Sequence, residues 1–455
     1  MAMGKREKSR QQSFWVATDS AGLRAPGHAF YDRLSTLLDD WGFDEFVESL
    51  CLRFYADPMG RPSLSPGRYF RSLLIGYFEG LDSERGIAWR LADSLSLRGF
   101  LDLDVEDSTP HHSTLSRTRR LMDVETHEAV FAWVLQRVAE CGLLRGKSIG
   151  VDGTTLEANA AMRTIVRRDS GESYPKYLEK LGKEAGLENP TREDLIRLDR
   201  KRKKKTSNKD WKSPSDPDAR IAKMKDGRTH LAHKAEHAVD LETGAIIAVT
   251  LQPADRGDTK SVDVTLEETV NVLSDVLEEP EVEDSLHPSL LQELILDKGY
   301  HSNEVLVDLR EKGIRTYIAE PERGRRNWKG KKLEKAAVYA NRRRNKGSRG
   351  KKLHRRRSEV VERSFAHCYE TGGMRRTHLR HHENIRKRQL IHVAGHNLGL
   401  IMRKMVGFGT PRGLFSFFID IYLYIQGPEG PWKAVRVLFT QRLENRYRPT
   451  VSCLH

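Results

Sequence analysis

The chain has 455 residues, 38% of them apolar and 31% charged, with a net charge of +14 at pH 7. That length and composition suit two or three folded domains with a sizeable core, and exclude a chain that is disordered throughout. The four cysteines, Cys51, Cys141, Cys368 and Cys453, include no C-x-x-C pair, which argues against a zinc ribbon or a disulfide framework and makes a reducing, cytoplasmic setting the expectation.

The positive charge is local. Residues 323–357 hold 17 Lys/Arg against one acid, Glu334, an excess of 16 that leaves the other 420 residues slightly acidic. A single-sign block of this size points to a polyanionic partner, because solubility alone is served by mixed signs. The N-terminal MAMGKREKSRQQ has no apolar core, and the longest apolar run, Phe415 to Ile425, is too short to span a bilayer and carries Asp420. Neither export nor a membrane span is expected.

Residues 1 to about 145 read as helical. Ser65-Pro66 is a cap followed by a first-turn proline, and Phe70, Leu73, Leu74, Tyr77 and Phe78 recur at helical spacing up to Gly80. Asp82 with Arg85 to Leu95 predicts a second helix. Asp123 to Cys141 predicts a third, with Val130, Val134, Leu135 and Val138 on one face. Between them, DSTPHHSTLSRTRRLM (107–122) offers a turn, Ser113 as a cap, then Arg117, Arg119 and Arg120. Such a stretch fits either the second helix of a helix-turn-helix or a plain packing helix.

At Lys147 the texture changes. SIGVDGTT alternates branched and small residues and predicts a buried strand ending at Asp152. A polar insertion, about 163–225, follows and reads as surface-lying and partly disordered. Thr229 to Asp240 and Ala245 to Gln252, joined by Glu242-Thr243-Gly244, predict a hairpin. Then come a helix over 258–277, an apolar strand over 291–297 ending in an acid, a short helix over 302–311 and a strand over 314–319. The order implies an α/β fold, a mixed sheet with helices packed on it. The basic segment (321–357) interrupts the pattern before a helix carrying Glu362, and Gly372-Gly373 separates that helix from one striped by Leu390, Ile391, Ala394, Leu398 and Ile401.

Two of these strands end in an aspartate with glycine close by: Val151-Asp152-Gly153 and Leu296-Asp297-Lys298-Gly299. Taken singly, Asp-Gly after a strand is also a turn signal. Together, on neighbouring strands, the two carboxylates converge at one end of the sheet. Hard oxygen donors with open positions suit Mg2+ or Mn2+ rather than zinc, and paired ions of that kind serve phosphodiester displacement. Glu362, on a helix across the same sheet, would complete the set. His392 and His396 have the i, i+4 spacing of a helical metal pair, but no Glu lies between them, so phosphate or structural hydrogen bonding is the expected role.

The stretches SIGVDGTTLEANA, LILDKGYHS and SEVVERSFAHCYETGGMRRTHLRHHENIRKRQLIHVAGHNLGLI resemble bacterial insertion-sequence transposases of the DDE class, in the IS-four and IS-five superfamily. SLSPGRYFRSLLIGYFEGLDSERGIAWRLADSLSLRGFLDL is similar to the helical domain that precedes their catalytic core. The resemblance covers roughly residues 30 to 405. It implies a ribonuclease-H-like core (146–406) behind a helical DNA-binding domain (1–145), with a C-terminal tail (407–455). It also implies Mg2+- or Mn2+-dependent DNA cleavage and strand transfer, terminal inverted repeats and target DNA as partners, a homodimer or larger assembly on DNA, and a nucleoid-associated protein.

Position by position, the resemblance makes Asp152, Asp297 and Glu362 the catalytic and metal-holding acids. Glu359, one turn earlier, is the rival third acid; Glu362 lies inside the matching V-E-R-x-F string. The superfamily's Y-x2-R-x3-E-x6-K signature is absent in this register, where Arg355, Ser358 and Tyr369 occupy the other three positions. Phosphate contact therefore falls to other cations: Lys298, Arg357, Arg363, Arg375 and Arg376 near the acids, and Arg117, Arg119 and Arg120 in the helical region. Trp328 and Tyr339 are candidates for stacking on an unpaired base or for plain packing.

Overall fold

A computed structural model describes residues 27–413 except 56–62, 105, 203–206, 225–226, 278–285, 323 and 325. The basic N-terminal stretch, the apolar run Phe415 to Ile425 and Cys453 lie outside the described residues.

The helical region comprises α1 (Ala29–Asp40), α2 (Phe43–Cys51), α3 (Pro66–Glu79), α4 (Glu84–Ala92), α5 (Leu95–Phe100), α6 (His112–Leu121) and α7 (Val124–Glu140). Ser65 and Pro66 start α3 as predicted, and Gly80, at φ 70°, ends it. The helix expected over 85–95 forms from a Ser83 cap but ends at Ala92, because Ser94 caps a new helix by accepting the Leu97 N–H. In α6 the cap is His111, whose ring accepts from the Ser113 N–H, so the helix starts earlier than a Ser113 cap predicts.

The sheet is built from β1 (Ser148–Glu157), β4 (Arg220–Lys223), β5 (Thr229–Asp240), β6 (Ile246–Pro253), β7 (Glu293–Leu296) and β8 (Arg315–Ile318), in the order β4-β5-β1-β7-β8 with β6 also on β5. β1 pairs antiparallel with β5 from Ile149↔Asp240 to Glu157↔Ala232 and parallel with β7, and β7 pairs parallel with β8. The β5–β6 hairpin turns at Gly244, whose φ of 87° favours glycine. β1 does not stop at Asp152; its ladder with β5 carries it five residues further, while its ladder with β7 ends at Gly150.

The insertion after β1 is folded where it is described. A two-stranded ribbon, β2 (Val166–Arg167) with β3 (Trp211–Lys212), joins α8 (Tyr174–Glu184) and α9 (Arg192–Lys201). Ala158, Ile165, Trp211, Ala219 and Leu231 form a small core of its own. Over its described residues the insertion is held by apolar side chains too sparse along the chain to show a period yet buried together, while 203–206 and 225, part of the stretch expected to be partly disordered, lie outside the described residues.

The sheet is flanked by α10 (Asp258–Leu277), α11 (Asn303–Glu311), α12 (Lys332–Lys346) and α13 (Ser348–Phe365). α13 and α10 lie on opposite faces: Gly150 faces α13, whereas Gly153, three positions on, faces side chains bonded to α10. A π-helical turn (Ala366–Thr371) leads towards α14 (His382–Val406), which packs on α7, α3 and β6 and so joins the helical region to the sheet in one core.

Much of the basic segment serves the fold. Arg342 donates to Glu320 through Nε and Nη2, Arg344 donates to the Thr316 carbonyl at 2.8 Å, and Arg349 forks onto buried Glu293.

Candidate active site

The parallel ladder sets Gly150 opposite Ile295. Two residues further along each chain come Asp152 and Asp297, level with one another just past the end of that ladder, where adjacent parallel strands diverge into space. The charges feel each other. Burial raises the Asp152 carboxyl above its usual pKa, Arg357 opposes that, and Asp297 adds to it. Both side chains offer hard carboxylate oxygens, the donor type that Mg2+ and Mn2+ take.

α13 closes over them. A Cβ at Gly150 would lie 3.1 Å from the Arg357 Cγ and 3.2 Å from a Val361 methyl, so glycine there admits the helix. Arg357 then reaches the Asp152 Oδ2 at 2.6 Å. One turn earlier stands His354, whose imidazole burial and Arg357 push below its normal pKa while Asp297 pulls it up. His354, Ser358 and Glu362 make a single i, i+4, i+8 row along the helix. Glu362 lies two turns beyond His354, about 12 Å further along the helix; its side chain is exposed and makes no hydrogen bond or ion pair among the described residues. Glu359, by contrast, is tied to Arg356 at 3.1 Å and Arg363 at 2.8 Å.

The remaining cations divide into three groups. Lys298, Arg363, Arg376, Arg117 and Arg120 are exposed. Arg375 is half-buried and donates to Thr154 at 3.2 Å, on the strand that carries Asp152, and pairs with Glu370. Arg357 and Arg119 are turned inward, each 7% exposed: Arg357 onto Asp152, Arg119 onto Glu84 and Asn384. Trp328 and Tyr339 pack edge-on at 6.2 Å, each beneath a guanidinium.

The helical histidines hold turns. His392 bonds the Gly372 carbonyl at 3.0 Å and His396 the Gly244 carbonyl at 3.2 Å, and burial lowers both to a pKa of about 3. Among the described residues the group whose ligand atoms all lie within 4.8 Å of one another is Asp216, Asp218 and His381, not the three acids named from the sequence. Buried His233 bonds Asp216 at 3.1 Å and pairs with Leu156, four residues along β5 from the His237 that faces Asp152, or about 13 Å.

The residues on β5 carry no motif that singles them out in sequence. His237, opposite Asp152, bonds Ser364 and Tyr369. Lys234 and Glu236, on the other face, are both buried. A lysine and a glutamate two apart inside a predicted strand were the available signal, since such charges stay buried only when paired.

No helix among the described residues is long and apolar enough to cross a membrane. No curated protein and no solved structure matches the chain. Residues 20–121 match the family described as Transposase domain (DUF772), and residues 190–398 match the Transposase DDE domain. A DDE domain implies a ribonuclease-H-like core, and the mixed sheet with a preceding helical region has that form. The two matches support a DDE transposase, an enzyme that binds and acts on DNA.

Proposed function

We propose that this protein cleaves DNA at the terminal inverted repeats of a bacterial insertion sequence of the IS-four and IS-five type and joins the freed ends to target DNA, with Asp152, Asp297 and Glu362 as its catalytic acids. The observation that carries the reading is that Asp152 and Asp297 each follow by two residues the last pair of the parallel β1–β7 ladder, Gly150↔Ile295, beneath a basic helix, in a chain whose residues 190–398 match a transposase DDE domain.

Asp152 and Asp297 would hold Mg2+ or Mn2+, with Glu362 completing the set from α13. When bound, such ions activate an attacking oxygen and stabilise a leaving one. The chain's own part is positional. Gly150 lets α13 approach, Arg357 balances the Asp152 charge, and the strands fix the spacing of the two aspartates. Exposed Lys298, Arg363 and Arg376 supply positive charge around the acids for the phosphate backbone, and Arg117 and Arg120 extend it onto the helical region. Two DNA ends must be brought together, so a dimer or larger assembly on DNA belongs to the proposal.

The test is a labelled duplex ending in the element's own inverted repeat, incubated with a target plasmid in Mg2+ or EDTA. Joined products from wild type in Mg2+, absent in EDTA and with Asp297→Ala, are the expected result. Cleavage without joining would reduce the activity to that of a nuclease. Binding without cleavage would leave a DNA-binding protein.

A further inference from the structure

Behind the two aspartates, on the face of the sheet away from α13, lies a buried polar cluster that the proposed chemistry does not use. Lys234 and Glu236 project from β5 next to Gly153, where a Cβ would sit 3.1 Å from the lysine Cε, 3.3 Å from the glutamate Cγ and 3.4 Å from the Tyr300 hydroxyl. Glu236 is fully buried and each of its oxygens is engaged. Oε1 accepts from Tyr300 at 2.9 Å, from Lys234 at 2.9 Å and from Ser261; Oε2 accepts from Thr265 at 2.7 Å. The ammonium of Lys234 spends its other protons on Asp258 at 2.6 Å and Ser261 at 2.7 Å.

Tyr300 closes the turn that Asp297 opens, its backbone N–H reaching the Asp297 carbonyl at 3.2 Å. In the same turn Gly299 lies against Asp258, close enough that a Cβ would collide with the carboxylate. The turn is therefore held at two points, by Glu236 through the phenol and by Asp258 through contact, and both are held by Lys234.

A buried ion pair with every partner satisfied specifies geometry more surely than it adds stability. Resting on the reading of Asp152 and Asp297 as metal-holding acids, we infer that Lys234, Glu236 and Tyr300 are positioning residues that fix Asp297 against Asp152 for divalent metal. They act from the second layer, as the carboxylates and hydroxyls behind metal ligands do in general.

The test is Mn2+ binding to the full-length protein, read from the EPR signal of free Mn2+, with a thermal melt of each variant in EDTA. The Tyr300→Phe variant removes one hydroxyl, and Glu236→Gln keeps the shape. Both are expected to weaken Mn2+ binding about ten-fold, and Lys234→Arg is expected to retain more affinity than Lys234→Met. If Tyr300→Phe and Glu236→Gln melt lower than wild type yet bind Mn2+ unchanged, the cluster is structural only and the inference fails while the active-site reading stands. Asp297→Ala separates the two: if it binds Mn2+ as wild type does, the metal is held elsewhere and the active-site reading itself falls.

Discussion

Arg357 Nη1 lies 2.6 Å from Asp152 Oδ2, so a helix guanidinium occupies one oxygen of a carboxylate that burial already disfavours as an anion. Arg357→Gln removes that partner and leaves the charge desolvated. The expected loss in EDTA is about 1–3 kcal/mol, the cost of an unsatisfied buried polar group. Added Mn2+ then finds a less neutralised site. The melting temperature of Arg357→Gln should rise on Mn2+ addition by more than that of wild type, and Asp152→Asn should show no rise. An equal rise in wild type and Arg357→Gln would mean that the guanidinium does not compete for the metal's ligand.

Glu362 and Glu359 make opposite predictions. If Glu362 completes the acid set, Glu362→Gln, like Asp152→Ala and Asp297→Ala, should slow single-turnover cleavage at least about 100-fold, since metal-borne charge stabilisation amounts to several kcal/mol and each 1.36 kcal/mol is tenfold. Glu359→Gln breaks only surface pairs with Arg356 and Arg363 and should stay within a few-fold of wild type. A reversed pattern would make Glu359 the third acid.

The helical region's arginines should separate by salt dependence. Arg117 and Arg120 are exposed, so Arg120→Ala should weaken DNA binding across sequences and lower the slope of log affinity against log salt by about one. Arg119 is buried against Glu84 and Asn384, and Arg119→Ala should lower the melting temperature instead. Fluorescence anisotropy at several salt concentrations, with a melt of each variant, distinguishes the two effects.

Acid should unfold the protein well before its carboxylates titrate. His127, His237, His392 and His396 are buried, and desolvation lowers each to a pKa of about 3. Their ordinary value is near 6.5, so below that pH the unfolded chain takes up protons that the folded chain refuses. Stability is then complete above about pH 6.5 and declines as pH falls, by about 2 kcal/mol per histidine at pH 5. Denaturant melts between pH 7.5 and 5 should show the decline. His392→Gln should flatten it, whereas a pH-independent midpoint would mean that these rings are protonated in place.

Elements with a strong local pattern were readable: α3, α7, the β5–β6 hairpin, α10 and β8 fall where periodicity and caps put them. The apolar residues before Asp152 and Asp297 marked both acids, but their convergence was conditional on β1 and β7 being neighbours, which the parallel ladder shows them to be. The full length of β1 was hidden, since its polar second half is held by pairing with β5, a partner more than seventy positions away at Leu156↔His233. The inward turn of Arg119 and Arg357 was equally illegible: a basic run marks positive charge but not which member a distant carboxylate captures. Lys234 and Glu236 are explained only by Asp258, Ser261, Thr265 and Tyr300, which chain order scatters over two other elements.

The ladder between β1 and β5 runs on to Glu157↔Ala232, and Ala158 still donates to the Leu231 carbonyl. Topologically the two strands are the arms of one hairpin whose tip has been expanded into a folded lobe. Its ends are already zipped, so the lobe's size bears little on the acids; each doubling of a flexible loop adds only about 0.6 kcal/mol of closure entropy. The stretch between the ribbon strands, 168 to 210, lies beyond both β4 and the bonds of Asp216, so a graft there is expected to change the lobe's surface while the carboxylates keep their register.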